Sequence, residues 1–204
     1  MNLRKIMQKS FLILFILIFS LSNFTQALMI KFSLKKLTIG ADAIILAEVK
    51  RIQYEWSMDK STILTIATLQ IHEILKGEID NNQILIQYPG GRVGDIGLKV
   101  SDIPSFRPKE KVLVFLKSIV NITDMKHSLT AMQNFFPVFR LFGFAQGKYS
   151  IGRDGIAHKS GYDLISKKYE PDKSLTLADL KAKIKNILNQ NNKEKNKSYE
   201  DRKH

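Results

Sequence analysis

Residues Ser61–Leu75 read STILTIATLQIHEIL. Thr and Ile crowd this stretch, and β-branched side chains suit a pleated, half-buried surface. Ala67, Leu69 and Ile71 share one face, and Thr68, Gln70 and His72 share the other, which is the two-residue period of a strand. Lys76-Gly77 then makes a turn. Upstream, Ile44–Ile52 (IILAEVKRI) starts almost continuously apolar before polar residues alternate in, and reads as the preceding strand. Gln53–Lys60 (QYEWSMDK) is polar and reads as a loop or strand end. Downstream, Gln83–Tyr88 (QILIQY) is a third strand closed by Pro89-Gly90-Gly91, and Leu98–Val100 a short fourth. Val112–Leu116 (VLVFL) reads as a buried fifth strand, Lys117–Asn134 as a loop, and Val138–Phe144 and Lys148–Ile151 as further strands extended at Ile156. Strands at this spacing, separated by turn signals, predict a mainly β chain folded as a closed or nearly closed barrel, or as a sandwich. Closure removes the exposed edges that invite aggregation.

Helices flank the barrel. Ser33 suits an N-cap, and Leu34, Leu37 and Ile39 lie on or near one face of a short amphipathic helix within 28–42. A second helix starts at Ser174, where Leu177, Leu180, Ile184, Ile187 and Leu188 form an apolar stripe. Residues 191–204 lack an apolar pattern and read as a disordered basic tail. The expected organisation is a signal peptide at 1–27, a β-barrel domain at 28–165, a helical extension at 166–190 and the tail.

The chain has 204 residues, 32 Lys and Arg against 19 Asp and Glu, and no cysteine. It is too polar for a multi-pass membrane protein and too apolar for a disordered one, with 44% hydrophobic residues. The missing thiols exclude disulfides, thiolate zinc sites, iron–sulfur clusters and cysteine nucleophiles. Arg4, Lys5 and Lys9 precede the greasy run Phe11–Leu21, and Thr25 and Ala27 are small enough for a signal-peptidase site. A spanning helix needs about 20 apolar residues, and this run is shorter. The reading is an exported protein, periplasmic or extracellular, cleaved after Ala27 and with no stable membrane span thereafter. Cleavage leaves 29 basic against 19 acidic residues, a charge of +10. A nucleic-acid partner is not expected outside the cell.

Several blocks then appear in order: Ala41-Asp42-Ala43-Ile44-Ile45, LQIHEILKG at Leu69–Gly77, PGGRVGDIG at Pro89–Gly97, FRPKEKVLVFL at Phe106–Leu116 and GFAQGKY at Gly143–Tyr149. Together they resemble a family of exported bacterial proteins with no assigned activity, some members of which occur near or fused to matrixin-type metalloproteases. The pattern also resembles netrin-like and TIMP-like OB barrels. The resemblance implies an OB-like (netrin/TIMP-like) β-barrel of five to seven strands, and a protein-binding role for which a secreted protease is one candidate partner. TIMP-type inhibition places an N-terminal cysteine on the protease zinc, and this chain has no cysteine to supply it.

Candidate chemistry is sparse. Gly91, Gly94 and Gly97 are spaced G-x-x-G-x-x-G, which misses the dinucleotide fingerprint. They read as turn glycines that bend a strand at a barrel corner, with Arg92 and Asp95 either contacting a ligand or pairing at the surface. Gly147-Lys148 lacks the spacing and the following Ser or Thr of a phosphate loop, so Gln146 reads as an exposed polar group in a bend. Trp56, in a polar stretch, is the aromatic best placed for a ligand, among Tyr54, Tyr88, Phe135 and Phe136. The tentative contact set is therefore Arg92, Gly94, Asp95, Trp56 and Gln146. His72, His127, His158 and His204 form no close ligand pair, so no metal or cofactor is expected. The expected function is non-enzymatic binding of a protein or a cell-envelope glycan. A hydrolase would need Asp42, Asp95, Asp102 or His72 to converge; an oligonucleotide-binding OB protein is the other alternative.

Overall fold

The computed structural model describes residues 31–119, 136–161 and 172–200. The signal peptide read at 1–27, most of the loop read at Lys117–Asn134, His127, Phe135 and His204 lie outside them. In chain order the elements are α1 (Leu34–Gly40), β1 (Ala43–Trp56), β2 (Ile63–Lys76), β3 (Gln83–Pro89), β4 (Gly91–Val93), β5 (Ile96–Leu98), β6 (Lys111–Ser118), β7 (Val138–Leu141), a 3₁₀ turn (Phe144–Gly147), β8 (Lys148–Ile151), β9 (Ile156–Lys159), β10 (Ser174–Thr176) and α2 (Leu177–Glu200).

β1 and β2 form a long antiparallel hairpin, and β3 pairs antiparallel with β2. β7 lies parallel to β3, with Leu85 opposite Val138, and antiparallel to β6. β6 returns to β1, placing Leu116 opposite Ala43. The circuit β1-β2-β3-β7-β6-β1 therefore closes as a five-stranded mixed barrel, OB-like in its winding.

The apolar runs of β1 and β6 follow from covering both of their faces. Ile45, Ala47 and Val49 point inward with Val112, Val114 and Leu116, and meet Ala67, Leu69, Ile84 and Ile86 in the barrel core. Ile44, Leu46, Leu113 and Phe115 face outward into a second core with Leu34 and Leu37 of α1 and Leu180 and Ile184 of α2. Burying each such Leu or Ile contributes about 1.5–3 kcal/mol, so the two helices are held by the barrel wall. Ser33 caps α1, its Oγ accepting from the Lys36 N–H at 3.2 Å.

One edge of β6 is divided between two partners. Leu116–Ser118 pairs with β7, and Lys111–Val114 pairs with β8. The chain passes from one to the other through the 3₁₀ turn. A Cβ on Gly147 would lie 2.0 Å from the Phe142 carbonyl oxygen, so only glycine allows this approach. β8, β9 and β10 continue as an antiparallel meander beyond the barrel.

Several sequence readings change. β1 runs on to Trp56, because β2 continues to supply ladder partners as far as Ile63. The strand expected at Leu98–Val100 is instead the hairpin β4–β5, in which Gly91 faces Leu98 and Val93 faces Ile96. β7 stops at Leu141, since Gly143 and Phe144 are both left-handed, at φ 80° and 54°. Ser174–Thr176 is a strand, and α2 starts at Leu177. Thr176 Oγ1 accepts from the Asp179 N–H at 3.0 Å and donates to the Asp179 carboxylate at 2.7 Å, a side-chain N-cap that sets this start. α2 also extends through Glu200, past the end read near residue 190. The Lys, Gln and Glu residues there carry little helical penalty. Among the described residues, no helix is long and apolar enough to cross a membrane.

Candidate functional site

A cleft of about 680 Å³ lies against the ends of β2, β3 and β7, where outward side chains meet Tyr88 and Leu141, which pack against the barrel core. Outward alternation supplies its floor: Leu64 of β2 stands opposite Pro89 of β3, with Gln87 two residues back and Arg140 on β7. The β1–β2 loop forms one wall. Ser57 Oγ donates to the Asp59 carboxylate at 2.6 Å and accepts from the Thr62 N–H at 3.0 Å, while the Ser61 N–H donates to Asp59 at 3.1 Å. These bonds give the loop a fixed shape, with Lys60 at φ 55° on its tip. Ile103, Pro104, Leu141 and Phe144 also line the cleft.

Tyr88 also lines the cleft, and its ring packs 5.7 Å from that of Phe106. Burial, then the neighbouring Tyr54, push its phenol up to about 12 despite hydrogen bonds from Thr65 and the Phe106 backbone. It therefore stays a neutral hydroxyl at any physiological pH. Among the described lining residues Arg140 is the one cation and Asp59 the one carboxylate. The cleft is electrically balanced on a chain of net charge +13.

Phe144 is the unusual member. Its residue is 61% exposed, and its φ of 54° is left-handed. A left-handed L-residue costs on the order of 1–2 kcal/mol. The surroundings hold it there: Gly143 precedes it at φ 80°, and the next residue, Ala145, is buried with its N–H on the Asp102 carbonyl at 2.8 Å.

The residues singled out from sequence fall elsewhere. Arg92, Gly94 and Asp95 sit on the β4–β5 hairpin. Arg92 Nε donates to the Gly94 carbonyl at 3.0 Å, and its guanidinium stands 4.0 Å from Asp95, both side chains well exposed. Gly94 has φ 59°, the positive-φ turn expected of it, although the hairpin replaces the bent strand. Trp56 is half-buried at the last β1–β2 pair, opposite Ile63, on a strand rather than in a loop. It directly precedes Ser57 of the cleft wall. Gln146 is 5% exposed, not exposed as read; its Oε1 accepts from the Phe32 N–H at 2.8 Å and so joins the start of α1 to the 3₁₀ turn.

Of the residues considered for hydrolysis, Asp42, His72 and Asp95 each have a local partner. Asp42 accepts from Lys117 Nζ at 2.5 Å and from the Ser118 N–H at 3.0 Å. Burial raises its pKa, but these bonds and the charges of Lys117 and Lys76 outweigh that, so the net shift is downward. His72 lies 3.9 Å from Glu48, and Asp95 faces Arg92. Asp102 is on the β5–β6 connection, exposed at φ 61°. Among the described residues no three His, Asp or Glu side chains gather as a metal site.

Sequence reasoning missed Asp59, Gln87, Arg140 and Phe144. The one cue was Gly143 ahead of an aromatic, because a positive-φ glycine marks a turn that can project its neighbour. The chain matches no protein-family model and no curated protein.

Proposed function

We propose that this protein is an exported, non-enzymatic binding module whose barrel-face cleft holds an uncharged stretch of polysaccharide. Phe144 carries the reading. A strained aromatic kept in solvent at the rim of a cleft is a ring presented for stacking. Around it stand the hydroxyls of Ser61 and Thr62, the Gln87 amide and one charge of each sign, a set suited to sugar hydroxyls. OB barrels use the face of their second and third strands for oligosaccharides and oligonucleotides alike. A nucleic-acid backbone asks for a row of cations, and this cleft offers Arg140 balanced by Asp59. The leader-like pattern at 1–27 and the absence of cysteine support the export half of the proposal.

The test is native electrophoresis through gels containing a soluble β-glucan, a xylan or a galactomannan. Retardation by at least one of them, lost in Phe144→Ala, is expected. No retardation by any, or equal retardation of the variant, overturns the assignment.

A further inference from the structure

A second concavity, of about 530 Å³, lies where the β5–β6 connection meets β8 and β9, and most of its lining residues are polar or charged. Lys148 and Lys159 line it at 3% and 7% exposure. Burying an ammonium is costly unless hydrogen bonds and opposite charge compensate it. Lys148 Nζ donates to Glu110 Oε1 at 2.8 Å and to the Ser105 carbonyl at 2.5 Å, and lies 4.6 Å from the centre of the Phe106 ring. That carboxylate is heavily used: it also accepts from Ser150 Oγ at 2.7 Å and from the Arg107 N–H at 2.9 Å. Lys159 Nζ donates to the Phe32 carbonyl at 2.8 Å.

The wall carries further donors. Among the described residues the Arg107 guanidinium makes no ion pair or hydrogen bond, although its side chain lines the cavity. Burial is the main cause that lowers the Lys148 pKa, and the positive charge of Arg107 lowers it further, so the two cations repel across this space. His158 turns Nδ1 to Ser174 Oγ at 3.0 Å, which leaves its Nε2 edge for another partner. The Ser105 and Ser160 hydroxyls also line the cavity. Arg107, Lys148 and Lys159 thus line the cavity with two carboxylates, Glu110 and Asp102, and the first of these is already bonded.

We propose that this concavity binds the oxyanion of a small molecule, a phosphate or a carboxylate, which Arg107 grips in a forked pair while His158 and Ser160 supply further hydrogen bonds. Guanidinium matches either group bidentately. The bound charge would also relieve the repulsion between Arg107 and Lys148. This concavity adjoins the barrel-face cleft through Ile103 and Pro104, which line both, but its charged groups are its own and it does not depend on the polysaccharide assignment.

Isothermal titration of the full chain with inorganic phosphate, acetate, glucose 6-phosphate and glucuronate tests it, in chloride buffer of constant ionic strength. Saturable binding of at least one is expected, and the pattern tells phosphate from carboxylate and a free ion from a sugar-borne one. Arg107→Gln, at an exposed position that leaves the Lys148–Glu110 pair intact, should weaken that binding about tenfold or more. Arg92→Gln should leave it unchanged. No saturable heat from any of the four, or equal affinity in Arg107→Gln, overturns the proposal.

Discussion

Lys76, the last residue of β2, donates to the carbonyl of Ala41 at 2.5 Å, directly beyond the end of α1. The same ammonium donates to the carbonyls of Thr38 and Ile39, each at 2.9 Å. The last carbonyls of a helix lack intrahelical donors and carry its negative dipole end. One cation from the barrel wall satisfies two of them, and the carbonyl of the C-cap residue Ala41 as well. Lys76→Met should therefore destabilise the protein by about 1–3 kcal/mol. Urea unfolding at pH 7 measures this, and a midpoint equal to wild type would refute the capping role.

Asp42 beside it sets an acid limit. Its folded pKa lies below the ordinary 3.8. The stability it contributes is therefore complete above about pH 4 and is lost as pH falls through the folded value. Wild type should exceed Asp42→Asn in stability at pH 6, and the gap should narrow as pH falls below 3.8. A gap independent of pH would show that the carboxylate charge is irrelevant.

The buried pair Lys148–Glu110 works at the other end of the scale. Glu110→Gln leaves an ammonium buried without its counter-charge and should cost about 3–5 kcal/mol, a typical loss for one partner of a buried pair. The Lys148 pKa is below 10.5 in the fold. Between that lowered value and 10.5 the unfolded chain binds more protons, so stability gained through this group rises with pH. Wild type should therefore gain on Lys148→Met as pH climbs toward 10.5. Chemical denaturation across that range decides, and a gap that narrows instead would contradict the assignment.

Gly91 seats the β4–β5 hairpin. It has φ 127°, and a Cβ there would meet the Tyr54 ring at 2.3 Å. Gly91→Ala should lose more than about 1 kcal/mol, because alanine resists this φ. Amide exchange should accelerate in β4 and β5 while the β1–β2 ladder stays protected. Uniform acceleration across the barrel would mean the hairpin is not a separable unit.

Phe144 invites a test in which stability and binding part company. Phe144→Gly relieves the left-handed backbone and gives up little burial, so the variant should be at least as stable as wild type, by up to about 1 kcal/mol. It should nevertheless lose polysaccharide retardation. A variant that is clearly less stable would make Phe144 a packing residue.

Strand identity was legible where side chains alternate between environments. Thr68 and Leu69, or Gln70 and Ile71, announce two faces by themselves, and the β2 reading needed little change. β1 and β6 were legible as buried from their unbroken Ile, Val and Leu, which reflect cover on both sides. Short pairings were harder. Gly91–Val93 and Ser174–Thr176 are three residues each, and no period is visible over that length. The cleft was illegible for a related reason. Leu64, Gln87, Arg140 and Phe144 come from separate segments, and only the β2–β3 register and the closing β7 place them on one face. Turn geometry was legible in the glycines of Gly91–Gly97: Gly94 takes φ 59° in the β4–β5 turn, while Gly91 and Gly97 lie in the two strands.

Because β7 and β8 take consecutive halves of a single β6 edge, the outer meander is anchored directly in the barrel wall. Tension applied at β10 would run through β9 and β8 into β6, a stave of the barrel wall. Peeling the meander away would strip hydrogen bonds from that stave, so the appended strands and the barrel should yield together under a pulling force, in one mechanical event.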